Sequence, residues 1–283
     1  MKIGITGASG QLGRLVIAHL SQKVSKENLV ALVRNPEKVS DLGIEARAFD
    51  YDQPEQLTAT LNGIDSLLLI SGSEIGKRTQ QHKNVVDAAK NAGVKSITYT
   101  SLLHADTSTL VLAPEHLATE EAIKASGIAF TLLRNGWYTE NYTASVPGAL
   151  QHGTFIGSAG EGKISSAARN DYAEAAALIL AENNHQGKTL ELSGDESYTL
   201  KDFAKQLSLL TNKEIPYQNL SEKDFAKALE QVGLPEPVAQ VYAGFDTAAS
   251  KGDLYDEGTT LSQLLGRKTT SLSEVIKNTL ANH

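Results

Sequence analysis

Short runs of aliphatic residues alternate, along the first half of the chain, with longer stretches in which apolar positions recur every three or four residues. The runs KIGIT (2–6), LVALV (29–33), EARAF (45–49), SLLLIS (66–71), SITYTS (96–101) and AFTLLR (129–134) read as strands. Between them, helical periodicity covers Gln11 to Lys23, a short piece from Pro36, Pro54 to Leu61, Thr79 to Ala92 and Pro114 to Ser126. Gly93 and Gly127 supply the stops of the last two helices, because glycine accepts the left-handed conformation that ends a helix. Short, nearly continuous aliphatic strands of this kind must be covered on both faces, and alternation with helices supplies the cover. The pattern therefore predicts an α/β fold, a Rossmann-like doubly wound parallel sheet.

The regularity weakens after Arg134. Residues 135–170 are rich in Gly, Ser, Asn and aromatic side chains; a helix (Asp171 to Glu182) and a strand, KTLELS (188–193), then return. Helical stretches follow at Leu200 to Leu210, Ser221 to Val232 and Pro237 to Ala249. The expected organisation is a nucleotide-binding domain over 1–150, rejoined by 170–195, with a smaller, mostly helical C-terminal substrate domain within 151–283. The cleft between two such domains is the default place for a ligand.

Composition removes several classes of function. The chain has 283 residues and no cysteine, which excludes disulfides, thiolate metal sites and thiol nucleophiles. The seven histidines show no HExxH-type spacing, so no metal is expected. The net charge of −7 comes without any basic block, which argues against a nucleic-acid partner. The aliphatic runs are too short for a membrane span, and the opening MKIGITGASG lacks the order of a secretion signal, so a cytoplasmic protein is expected. Nothing in the sequence indicates the oligomeric state.

The chemistry is concentrated between the first strand and the first helix. TGASGQLG places Gly7, Gly10 and Gly13 three residues apart. Gly7 permits a tight turn, Gly10 lets a pyrophosphate approach bare backbone, and Gly13 lets the helix pack close to the strand, with phosphate at the helix N-terminus. A dinucleotide held this way would contact Gly7, Ala8, Ser9, Gly10, Gln11 and Leu12. About twenty residues further on, where an acid would select NAD, the chain has Arg34, with Asn35 and Lys38 close by. A guanidinium there suits the 2′-phosphate of NADPH; a surface arginine without a ligand is the alternative. Asp50 and Tyr51 end the third strand, where adenine would lie. Ser71, Gly72 and Ser73 end the fourth, beside the expected nicotinamide ribose.

With ITGASGQLG, VRNPEK, YTSLLHADTS, RNGWYTENY and FIGSAGEGKISSAARNDYA in order, the chain resembles the NmrA-like branch of the atypical short-chain dehydrogenases. Within that branch it is most similar to the bacterial type 2 NAD(P)H:quinone oxidoreductases. The likeness continues through YQNLSEKDFAKAL, VGLPEP and ASKGDLYDE and so covers essentially the whole chain. It implies a domain binding NADPH as sole cofactor, and a quinone that meets the nicotinamide. It also implies that Trp137, Tyr138, Thr139, Glu140, Asn141 and Tyr142, with Arg169, surround the nicotinamide half. Aromatic packing is the competing role for Trp137, Tyr138 and Tyr142.

Many reductases of this plan carry a catalytic Tyr and, four residues later, a Lys. Alignment on EEAIKASG puts Leu112 and His116 at those positions, leaving Ser101 of the usual hydroxyl set. No catalytic residue is assigned; Ser101, His104 and His116 are the candidates, with His116 also readable as a helix-start residue bonded to neighbouring backbone. Without a positioned acid, dehydrogenation of alcohols and epimerisation of sugar nucleotides are disfavoured. Two readings remain: NADPH-dependent hydride transfer to a quinone, and a non-catalytic NADP(H)-sensing regulator of the NmrA type.

Overall fold

The structure, a computed structural model, describes residues 1–282. The chain divides into two compact units. One comprises Met1–Asp106, Leu112–Asn135 and Asn170–Glu191; the other comprises Thr107–Val111, Gly136–Arg169 and the chain from Leu192 onward. The sequence reading draws the boundary at 150, whereas the chain leaves the first unit after Asn135, where β-structure gives way to the aromatic segment.

In chain order the strands are β1 (Ile3–Thr6), β2 (Leu29–Val33), β3 (Glu45–Ala48), β4 (Ser66–Leu69), β5 (Ser96–Leu102), β6 (Ala129–Asn135), β7 (Phe155–Gly157), β8 (Lys188–Leu192) and β9 (Tyr217–Asn219). The helices are α1 (Gln11–Leu20), α2 (Pro54–Thr60), α3 (Arg78–Asn91), α4 (Ala113–Ser126), α5 (Thr139–Thr143), α6 (Val146–His152), α7 (Arg169–Glu182), α8 (Leu200–Thr211), α9 (Glu222–Gln231), α10 (Glu236–Ser250), α11 (Thr260–Leu265) and α12 (Leu272–Ala281).

The first unit is built on a seven-stranded sheet of order β3-β2-β1-β4-β5-β6-β8, and the pairings from β3 through β6 are all parallel. The doubly wound sheet expected from the alternating pattern is thus present. Every residue of β1, β2, β4 and β5 is buried, which is why those strands carry no charge and few polar side chains beyond the hydroxyls of β5. At the edge, β3 is EARA, partly exposed and polar at alternate positions. One face of the sheet packs on its helices through a single buried cluster that includes Leu32, Leu57, Leu67, Val85, Ile97, Tyr99, Ile123 and Leu132. The chain runs outward from β1 to β2 and β3, then returns to β4 on the other side of β1. Strand order reverses there, and the carboxyl ends of β1 and β4 border the crevice in which such sheets bind ligands.

The second unit holds a two-stranded parallel sheet, β7 with β9, and helices around it. Phe203 of α8 is buried against the rings of Tyr142, Phe155 and Tyr198. Helix α12, for which the sequence reading gave no element, is opened by Ser271, whose hydroxyl accepts the Glu274 amide, and packs on α5 and α8. Among the described residues no helix is long and apolar enough to cross a membrane.

Candidate active site

The glycine loop links β1 to α1 through a tight turn in which the Gly10 amide donates to the Gly7 carbonyl at 2.9 Å. Gly7 adopts φ = 58°, a conformation that strains any side chain. A Cβ on Gly13 would lie 2.4 Å from the Gly7 oxygen and 2.7 Å from Ala8 Cα, so helix and turn meet at a distance only glycine permits. Gly10 is different. Its φ of −79° suits any residue, and a Cβ there would meet only the Gly7 oxygen, at 3.2 Å. The fold itself thus demands glycine at 7 and 13 and much less at 10. A glycine where the fold asks for little fits a ligand phosphate resting on the backbone at the start of α1. No side chain caps that helix start.

Along the same edge, Thr6 Oγ1 accepts the Ile70 amide (2.9 Å), tying the ends of β1 and β4, and the Tyr51 hydroxyl donates to the Ile70 carbonyl (3.2 Å). Arg34, at the end of β2, extends its guanidinium into solvent with 77% exposure and only a loose approach to Glu74, 3.9 Å. An exposed guanidinium at this position can fork onto a phosphate. Asn35 caps the turn that follows by accepting the Glu37 amide, and Arg14 of α1 braces it through Asp41 and the Lys38 carbonyl.

The segment Ser71–Ser73 is pinned by buried groups that sequence reasoning missed. The Ser71 amide donates to Thr100 Oγ1 (2.9 Å), the Gly72 amide to His82 Nε2 (3.0 Å), and Arg78 Nε donates to the Gly72 carbonyl (2.8 Å). Arg78 is buried and paired with Glu115 at 3.4 Å. Burial, with Arg78 nearby, pushes His82 down to about 3, so its imidazole is neutral. These residues occupy the inward face of α3, whose polar sequence RTQQH gives no sign of burial.

The three catalytic candidates are engaged within the first unit. Ser101 donates to Glu120 Oε1 at 2.6 Å, and Glu120, fully buried, takes Arg134 on both oxygens at 2.9 and 2.8 Å. Arg134 also reaches Asp106 and Glu191. His104 has φ = 51° and donates its amide to Glu191. His116 departs from the helix-start reading: it is buried, and its Nδ1 meets the Tyr99 hydroxyl at 2.7 Å. The imidazole points inward because α4 begins at Ala113, three residues earlier, and already faces the sheet at 116. Burial, with the positive charge of Arg78, lowers His116 to about 3, and burial raises the Tyr99 phenol far above its ordinary range. A pair so tuned neither gives nor takes protons near neutrality. At the end of β6, the buried Asn135 Oδ1 has no hydrogen-bond partner within the protein.

The remaining candidates lie in the second unit. The Arg169 guanidinium stacks on the Tyr138 ring at 4.6 Å, and both Glu140 oxygens accept the Arg169 amide at 2.9 Å. Thr139 bonds Ser166, which bonds Tyr198, while the Tyr142 hydroxyl donates to Asp246. Trp137 packs edge-on against Phe245. The aromatic residues therefore do serve as packing, and Trp137 and Tyr138 are also partly exposed. Among the described residues no cluster of His, Asp and Glu could hold a metal ion.

A family model described as NAD(P)H-binding matches residues 7–183. The chain belongs to this NAD(P)H-binding family, in its NmrA-like branch. Within the family it is 54% identical to quinone oxidoreductase 2 of Escherichia coli over 279 residues, 98% of each chain. The crystal structure of the E. coli NADPH-dependent quinone oxidoreductase complexed with NADPH superposes with a TM-score of 0.96, covering 98% of this chain and 99% of that one. Triphenylmethane reductase of Citrobacter sp., solved with NADP(H), is a 39% identical family member with a TM-score of 0.95, covering 98% of this chain and 100% of its own.

Proposed function

We propose that the chain is an NADPH-dependent quinone reductase that passes hydride directly to a quinone, giving the hydroquinone. The observation that carries this reading is the near-complete likeness, in sequence and in backbone, to the E. coli NADPH-dependent quinone oxidoreductase. In this reading Gly7 to Leu12 would hold the pyrophosphate, Arg34 the 2′-phosphate and Ser71 to Ser73 the nicotinamide ribose, and Trp137 to Tyr142 with Arg169 would contribute to the nicotinamide half. When bound, NADPH supplies a hydride, two electrons with one hydrogen nucleus. The quinone takes it into a ring that becomes aromatic, and the resulting hydroquinone anion takes one proton from water.

That stoichiometry explains what the protein does not provide. Charge on the quinone oxygen is delocalised as the hydride arrives, so orientation and stacking contribute more than a positioned acid. Ser101 is committed to Glu120, and His116 to Tyr99 in a buried setting. Neither is needed as a proton donor. Dinucleotide-binding geometry alone would equally suit an NADP(H) sensor, which binds the dinucleotide without consuming it. Adding a simple quinone to purified protein and NADPH separates the two: a reductase consumes NADPH in proportion to quinone, and a sensor leaves both unchanged.

A further inference from the structure

Three aromatic rings of the second unit stand in series. Trp137 and Phe245 have centroids 5.1 Å apart and nearly edge-on, and Phe245 and Tyr242 follow at 5.6 Å. Phe245 and Tyr242 belong to α10, where Val238, Tyr242 and Phe245 fall at i, i+4 and i+7 and so share one face. Phe245, in the middle, is buried, but Tyr242 is 52% and Val238 40% exposed. No charge interrupts the row. Between Pro237 and Ser250 the helix carries one ionisable carboxylate, Asp246, and that is buried and accepts the Ser158 amide at 2.8 Å. A packing role accounts for Phe245. It does not account for two large apolar side chains held in line with it at the surface.

We infer that Tyr242 and Phe245, continuing from Trp137, determine specificity for quinones carrying a fused ring or an apolar substituent. The inference rests on the proposed quinone reductase reading, in which Trp137 borders the site. Trp137 and Tyr242 are the partly exposed rings on either side of the buried Phe245, and a quinone is an electron-poor planar ring, so contact with either exposed ring is favourable for electrostatic as well as hydrophobic reasons. A small unsubstituted quinone has no atoms to reach beyond Trp137. A naphthoquinone or an alkylated quinone extends apolar surface past Trp137 and gains contact with the exposed Tyr242, the ring against which the buried Phe245 packs.

The test compares kcat/KM for para-benzoquinone and methylnaphthoquinone, with NADPH saturating, in wild type, Tyr242→Ser, Tyr242→Phe, Phe245→Ser and, as a surface control, Leu209→Ser. Wild type is expected to favour methylnaphthoquinone. Tyr242→Ser should reduce that preference by about 3- to 10-fold, the size of one aromatic contact, mainly through KM. Tyr242→Phe should keep it and Leu209→Ser should leave it unchanged. If Phe245→Ser fails to fold, the exposed Tyr242 still decides the matter. Quinone reduction with the same preference in Tyr242→Ser overturns this inference alone. So does a change of oligomeric state in Tyr242→Ser without a change of preference, which assigns the row to a contact between copies. Absence of reduction of either quinone by wild type overturns both this inference and the function on which it rests.

Discussion

His82 Nε2 accepts the Gly72 amide at 3.0 Å while Nδ1 of the same ring faces Thr119 Oγ1 at 3.0 Å. The Thr119 hydroxyl itself donates to the Glu115 carbonyl, so Nδ1 carries the hydrogen and the ring is a neutral, fixed strut. With Arg78 on the Gly72 carbonyl, the backbone donor and acceptor of one residue, Gly72, are both held from α3. His82→Phe removes the acceptor and keeps the bulk. It is expected to lower stability by about 1–3 kcal/mol, the cost of an unpaired polar group, and to weaken NADPH binding. Urea unfolding and NADPH titration measure the two effects; a variant unchanged in both would contradict the clamp.

Acid should destabilise the protein along a slope that one carboxyl moderates. His82 and His116 are lowered by burial to about 3, so between about pH 6 and 4 the unfolded chain binds two protons that the folded chain does not. Stability is lost as pH falls. Asp246 is raised by burial to about 6, so in the same window the folded chain gains a proton that the unfolded chain has not yet taken, and stability rises. Among these three groups the net is one proton, a loss of about 1.4 kcal/mol per pH unit, to which lowered carboxylates such as Glu45 and Glu74 add as pH approaches 4. Asp246→Asn should steepen the whole slope by about 1.4 kcal/mol per unit. Denaturant titrations between pH 4 and 6 check the difference of slopes, and equal slopes would contradict the assignment.

The two inner glycines should fail in different ways. Gly13→Ala places a Cβ against the Gly7 oxygen and Ala8 backbone and should compromise folding itself. Gly10→Val should fold and lose NADPH, because only the Gly7 oxygen opposes its side chain within the protein. Circular dichroism with NADPH titration distinguishes them; a folded Gly10→Val with normal NADPH affinity would make the loop merely a turn.

Arg34 should set the dinucleotide preference. Charge-assisted bonds to a 2′-phosphate, of about 1.5–3 kcal/mol, correspond to roughly 10- to 150-fold favour for NADPH over NADH. Arg34→Ala should remove most of that ratio without altering stability, since the side chain is exposed and loosely paired. A ratio of dissociation constants unchanged in the variant would refute the role.

The sheet was legible in the sequence because its central strands are short, largely apolar runs and its helices end at glycines such as Gly127, in the left-handed conformation at φ = 79°. The glycine loop was legible because its spacing sits between a strand and a helix. The polar interior was not. Arg78, Gln81 and His82 are buried in a helix that reads as exposed, since apolar periodicity cannot report a face buried through hydrogen bonds. A hint was available at Arg134, a charge closing the otherwise apolar run AFTLLR, whereas its partner Glu120 sits in a polar helix sequence. Helix α12 was legible as well, in the apolar stripe Leu272, Val275, Ile276 and Leu280 and the Ser271–Glu274 start, although the sequence reading places no element there.

Direct hydride transfer without a protein acid is most sharply examined by mixing the preformed protein–NADPH complex rapidly with quinone, using NADPH carrying hydrogen or deuterium at the nicotinamide C4. NADPH loss and hydroquinone formation should proceed in one phase, one for one, slowed by deuterium on a single face. His116→Ala should retain the phase within about tenfold, below the range of a general acid. Binding of NADPH with no loss on adding quinone would contradict catalysis, and a thousandfold loss in a folded, NADPH-binding His116→Ala would contradict protonation by solvent.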